Sequence, residues 1–495
     1  MSRTRISRLL AGAALLAGLL LCAPVAQASV AGSPGTVSAT TSANGVQHLH
    51  YAFGPLHIKP GQNTIEIANN RLRPTVPGYI VRFAPNLRRG DGTIPRVDVL
   101  HLHHGVWVIN GYPTFAAGEE KTVSQLPRGY GFPYQPSDHW LMNYMIHNLT
   151  PTADTVFITY DLDFIAAGSS AARGIAAVHP QWMDVTGLRA YPVFDVLQGS
   201  GRNGKFTYPD QAAPDQLYGV HTNQVPVTQN GVLVQTAGHL HPGGLYDDLW
   251  LSRGGRRVHL FRSVAHYYEP AGAVSWDVSM TATRPHWRVA VRRGDVLSIT
   301  GTYDSRRASW YESMGIMVVA VAAGARGGVD PFRHRVDLPG RLTHGHLAEN
   351  NNHGGGPVVL PDAVKMLDGP ADQPVIDISQ FQYGQGDLTL SSPAGRPPVI
   401  HAGASLTFHN SDASQTIFHT ITSCRAPCNR ATGIAYPLAD GAARFDSAEL
   451  GFGPRGFTAA SNRDTWSTPR GLGPGTYNYF CRIHPFMRGA FRIVR

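Results

Sequence analysis

An all-β fold is expected from three features: short runs in which apolar and polar residues alternate, glycine and proline punctuation between them, and few helical stripes. The runs at 79–83, 97–110, 140–147, 155–161, 232–241, 258–265, 276–282 and 318–322 read as strands. Gly (54) and Pro (36) punctuate them, together with Asn, and turns at such short spacing favour β-sandwiches. At about 150 residues per domain, the 495 residues suffice for about three sandwiches. Composition breaks at 168–178 and 324–370 divide the chain, and the second, rich in Gly, Asn and His, reads as an extended connector.

Charged residues make up 15% and hydrophobic residues 42% of the chain, a balance typical of folded proteins. Residues 1–28 read as a secretory signal: Arg3, Arg5 and Arg8, an apolar stretch from Leu9 to Leu21, then Ala26-Gln27-Ala28 as cleavage site. The mature chain is then secreted, extracellular or periplasmic, and no later segment has the roughly 20 apolar residues of a membrane span. Loss of the three arginines takes the formal charge from +9 to +6. The remaining excess forms no dense basic run with interleaved aromatics, so no nucleic-acid partner is expected. Processing also removes Cys22, leaving Cys424, Cys428 and Cys481. The first two are close enough to pair, which leaves Cys481 over.

The surroundings of Cys481 explain why. The run Tyr477-Asn478-Tyr479-Phe480-Cys481-Arg482-Ile483-His484-Pro485-Phe486-Met487 places thiolate, imidazole and thioether within seven residues, and His419 lies upstream on an expected strand. A trigonal His, Cys, His set with a weak Met ligand is the chemistry of blue copper. Residues 373–495 resemble the cupredoxins of the plastocyanin and amicyanin type, with their C-x-x-H-P-x-M loop. The resemblance implies a Greek-key β-sandwich and a type 1 copper held by His419, Cys481, His484 and Met487; His409 is left as a surface residue. Multicopper oxidases and copper nitrite reductases carry a His beside the copper Cys, where this chain has Phe480 and Arg482. Both are poor matches, and one-electron exchange with another centre is expected instead.

Histidines also gather earlier in the chain. His101-Leu102-His103-His104 lies in one expected strand, His147 ends another, and His239-Leu240-His241 ends a third, with Met314 before an apolar run. Residues two apart on a strand share a face, so His239 and His241 can grip one metal. A Met added to them makes a soft N,N,S site that favours Cu(I), the state that meets O2; three His without sulfur suit electron passage better. The order His-His, His, His-x-His, Met over residues 50–324 resembles the ascorbate-dependent type II copper monooxygenases, the family of peptidylglycine α-hydroxylating and dopamine β-monooxygenases. The resemblance implies two tandem β-sandwich domains, 29–170 and 171–324, followed by the connector 325–372 and the cupredoxin domain. It implies an electron-transfer copper on His103, His104 and His147 and a catalytic, O2-activating copper on His239, His241 and Met314, facing each other across a solvent cleft.

Departures from that family sharpen the expectation. His101 forms a second His-x-His with His103, so the pair in the first cluster stays open between His101 and His104. On a regular strand His103 and His104 face opposite ways, and using both needs a bulge or a different ring nitrogen from each. The positions of the peptide-binding Arg, Asn and Tyr hold Ala237, Ile316 and Val318, which implies an apolar pocket and no acidic peptide terminus. His344, His346 and His353 in the connector read either as exposed loop residues or as an extra metal site or lid. Glu119-Glu120 and Asp247-Asp248 read as solvated loop charges, and His179, His221, His259, His266 and His286 as structural. No G-x-S-x-G, P-loop or dinucleotide fingerprint occurs in a supporting context. The expected function is hydroxylation of a C–H bond of a small organic substrate with O2. Electrons would come from an external donor through the fused blue-copper domain. The alternative is a non-catalytic copper-binding electron carrier.

Overall fold

A computed structural model describes residues 37–188, 191–214, 223–347, 360–371, 373–391, 393–415, 417–426, 428, 436–452 and 462–495. The signal segment 1–28, with Cys22, and His353 lie outside the described residues, as does His221. The all-β expectation holds: the described residues form strands and short 3-10 turns, with no α-helix. No helix among them is long and apolar enough to cross a membrane.

The described strands form eight sheets, two of them two-stranded, and the larger sheets line three main hydrophobic cores. A seven-stranded sheet containing Gln47–Ile58, Asp154–Ala166 and Gly78–Arg89 faces a four-stranded sheet ordered Asn63–Asn69, Trp140–Asn148, Leu100–Ile109, Tyr112–Ala117. Trp107, Phe83, Tyr160 and Phe115 pack between them as stacked and edge-on rings. The next pair comprises the sheet of His179–Asp184, Gly315–Ala323, Gly231–Gln235, Val289–Val291 and Gly238–Leu240, and a seven-stranded sheet built on Val296–Asp304, Gly244–Arg253 and Arg256–Tyr267. The last pair carries Thr407–Asn410 in one sheet and Gly475–Phe480 beside Arg488–Val494 in the other.

One sheet serves two cores. Val232, Val234, Ala320 and Ala322 point into the first core, whereas Leu233, Met317 and Val319 point into the second. Burial on both faces is why residues 318–322 are apolar without alternation. The C-terminal unit is joined in the same way: Phe480, Leu438 and Ala443 belong to the second core, and neighbouring Tyr479 and Cys481 belong to the third. Arg482 reaches across to the Ser309 carbonyl, and Arg307 to that of Leu438. The connector is docked as well, with Arg341–Leu342 pairing with Val278–Ala282. Trp107 is fully buried against Phe83 and Tyr160; Trp107→Ala is expected to cost about 3–5 kcal/mol, measured by denaturant unfolding.

Candidate copper centres

The loop after Gly475–Phe480 turns back at once into Arg488–Val494, which confines Cys481, His484 and Met487 to one hairpin end. Met487 N–H donates to the His484 carbonyl at 2.9 Å, and the sulfur of Cys481 accepts from the backbone N–H of Thr420 and of His484, each at 3.3 Å. His419 lies not in a regular strand, as its sequence had implied, but in an isolated bridge to Leu450 that fixes its backbone. All four side chains are buried.

The donor atoms fit a single ion. Cys481 Sγ stands 3.9 Å from His419 Nδ1 and 3.9 Å from His484 Nδ1, and the two nitrogens are 3.2 Å apart. A triangle with those sides has a circumradius of about 2.1 Å, in the range of metal–nitrogen and metal–sulfur bonds, roughly 2.0–2.3 Å. Each imidazole is held by its other nitrogen: His419 Nε2 by Asp412 Oδ2 at 3.0 Å and His484 Nε2 by the Gly61 carbonyl at 2.9 Å. Such outer partners fix the tautomer that leaves Nδ1 free for a metal. Burial opposes ionisation of the Cys481 thiol, yet His419 and His484 hold it well below its usual range. The set suits copper, with Met487 as the soft fourth donor. Cys424 and Cys428 form a disulfide and Cys481 is free. His409, partly exposed, pairs with Asp377 and takes no part.

A second collection of imidazoles lies where the first two sandwiches meet. Strand Leu100–Ile109 carries a bulge: His101 pairs with His147 and Leu102 with Ile146, but His104 pairs with Met145, leaving His103 as the extra residue. The bulge that use of both His103 and His104 requires is therefore present, and Leu102 still enters the core. Ring centroids run His147–His101 5.1 Å, His101–His103 6.3 Å, His103–His241 4.7 Å and His241–His239 5.2 Å. Trp276, which the sequence did not single out, lies against His101, His103 and His241 at 4.9–5.1 Å. The implied solvent cleft is absent between these rings: His103 and His241 are buried in mutual contact.

The nitrogens repeat the pattern of the first site. His101 Nδ1 faces the Val97 carbonyl, His104 Nε2 the Asn143 side-chain oxygen, His147 Nε2 the Ile483 carbonyl and His241 the Glu312 backbone. The opposite nitrogens, His101 Nε2, His104 Nδ1, His147 Nδ1 and His241 Nε2, are buried without a hydrogen-bond partner, as is His103 Nδ1. Buried polar atoms are normally satisfied, so these five orphans mark the rings as open to a ligand, although among the described residues only His419, Cys481 and His484 already stand close enough together to share one ion. Burial pushes His101 down to about 3 and His104 to about 4, and His103, His147 and His241 well below their usual value. All five are neutral at pH 7, the form that binds metal. His101, directly opposite His147, is thus as well placed as His104 to complete the first cluster.

Met314 precedes strand Gly315–Ala323, in which Gly315 pairs with Leu240 and Ile316 with His239. The buried Tyr303 hydroxyl accepts from the backbone N–H of His241 and of Met314, each at 3.1 Å, and donates to the Met314 carbonyl at 2.6 Å. It pins the two segments together. The four acids read as solvated are buried instead. Glu120 Oε2 takes His239 Nδ1 at 3.1 Å, and Glu119 accepts from Leu102 N–H and pairs with buried Lys121. Asp247 and Asp248 lie inside strand Gly244–Arg253, where Asp248 holds Arg262 and His259. Of the connector histidines, His344 bonds the Glu120 carbonyl and His346 bonds Asp277 while stacking on Tyr268. They form a strap beside the site and are not free loop residues. A narrow cleft, partly open to solvent, adjoins His239 and is walled by Phe83, Phe115, Phe132, Ala237, Ile316 and Val318.

No family model and no curated protein matches the chain. Among solved structures, a copper(I) form of an amicyanin variant is 20% identical over 27% of this chain and 91% of that one, with a TM-score of 0.15. An oxidised amicyanin variant is 21% identical over 28% and 97%, also at 0.15. The copper-containing nitrite reductase of Thermus scotoductus SA-01 is 10% identical over 93% of this chain and 98% of that one, at 0.16. Tyr303→Phe leaves the His241 and Met314 N–H groups unsatisfied; it is expected to cost about 1–3 kcal/mol in thermal unfolding.

Proposed function

We propose that the chain is a secreted copper-dependent oxidoreductase that hydroxylates a C–H bond of a small apolar substrate with O2, using electrons taken through its C-terminal type 1 site. The observation that carries this reading is the set of buried imidazoles, His101, His104, His147 and His241, each anchored through one nitrogen with the other left free, with an apolar cleft beside His239. His239, His241 and Met314 would hold the catalytic copper. His103 and His147, with His104 or His101, would hold the electron-transfer copper, and His419, Cys481, His484 and Met487 the type 1 copper. Bound copper supplies one-electron chemistry and reactivity toward O2.

The protein's own residues supply the rest. Glu120 keeps His239 Nδ1 occupied and so leaves Nε2 as the nitrogen for a metal. Tyr303 sets the spacing of His241 and Met314. Phe83, Phe115, Phe132, Ile316 and Val318 present an apolar wall that binds a hydrocarbon-like substrate and displaces water. Ala237, Ile316 and Val318 offer no charge to a carboxylate, which disfavours a peptide terminus. An external reductant would donate the electrons.

Copper analysis with low-temperature EPR tests the reading. Three coppers per chain are expected, one with the small hyperfine splitting of a blue site and two of ordinary type II character. A single blue copper with no O2 uptake across apolar substrates would identify a carrier instead. Met314→Ala is expected to abolish product formation while the blue absorption persists. Glu120→Gln should weaken copper binding at His239 by about 10–100-fold, read by chelator competition.

A further inference from the structure

The type 1 ligand loop ends against the first sandwich, and two hydrogen bonds join them. His484 Nε2 donates to the Gly61 carbonyl at 2.9 Å, and His147 Nε2 donates to the Ile483 carbonyl at 2.7 Å. The rings of His484 and His147 stand 6.4 Å apart, edge to face. His484, His147 and Ile483 are 2%, 1% and 6% exposed, so no solvent path reaches this edge of the type 1 site. Phe381 closes the remaining side, its ring 4.8 Å from that of His484. Gly61 is the residue that permits the contact: it sits at φ +60°, and a Cβ there would lie 2.7 Å from Phe381 and 3.1 Å from His484.

We propose that this junction is an internal electron conduit: Cys481, two residues from Ile483, is wired through the Ile483 carbonyl to His147 and thence to His101. The His484 edge, by the same contact, is closed to outside redox proteins. The step moves one electron: the type 1 site is oxidised by one unit and the site held by His147 is reduced by one, with no bond made or broken. External reductant therefore reaches the type 1 site by a face other than that of His484. The conduit rests on the copper assignment made above, and adds to it the route and the closed port. Arg482, between Cys481 and Ile483, keeps the loop in register by bonding the Ser309 carbonyl and Asp446 at 2.9 Å.

The test is flash reduction of the copper-loaded full chain, followed at the blue absorption. The wild type is expected to show reoxidation of the type 1 site in a phase whose rate does not change with protein concentration. Gly61→Val, which touches no proposed ligand of the histidine cluster, is expected to slow that phase by about tenfold or more, equal to about 1.4 kcal/mol of barrier. It should also speed bimolecular oxidation by an added redox protein. His147→Ala is expected to abolish the phase with the blue band intact, whereas Met314→Ala retains it. Persistence of the phase at its wild-type rate in both Gly61→Val and His147→Ala would overturn the conduit. A wild type with the fast phase but no hydroxylated product would overturn the enzyme assignment and leave the conduit standing.

Discussion

The bulge at His103 is the constraint on which the histidine cluster depends. A regular strand through residues 100–105 would put His101 and His103 on one face and send Leu102 and His104 to the other. The extra residue shifts the register by one, so that Leu102 fills the first core while His101, His103 and His104 all turn outward toward the second sandwich. Turning outward here means turning into another protein surface. The imidazoles are desolvated by strands from elsewhere in the chain, and desolvation keeps them neutral.

Around that cluster, two buried carboxylates have partners. Glu119 is buried together with Lys121, which adopts φ +45°, and Glu120 with His239. Isolated carboxylates at this depth would be prohibitive, and each of these two has a hydrogen-bonding partner. The carboxylates do structural duty as well: Glu119 caps the Leu102 N–H beside the bulge, and Glu120 orients His239. One short turn between strands thus supports both halves of the site.

The sequence made some of this legible. The C-x-x-H-P-x-M loop is local, and three of its four proposed ligands come from seven consecutive residues, so proximity in sequence guarantees proximity in space. Strand positions were readable wherever a face alternates; 318–322, buried on both faces, was recognisable by its apolar run alone. The contact of His103 with His241 was not readable, because it depends on how two sandwiches dock, and no local pattern records that. Glu119 and Glu120 were misread for the same reason: a pair of acids between strands looks solvated until a neighbouring sheet covers it. Trp276 and Tyr303 gave no signal as isolated aromatics.

The shared cores bear on how such a protein can be assembled and reshaped. Phe480, Leu438 and Ala443 lie in the core of the second sandwich, and Val232 and Ala320 lie in that of the first. A C-terminal unit exchanged for another of similar fold would bring its own loop but would leave holes in its neighbour where those side chains had been. The C-terminal unit is therefore not an interchangeable cassette. Its surface has become interior, and any substitution in its ligand hairpin has to be accommodated in the packing of a domain hundreds of residues away in sequence.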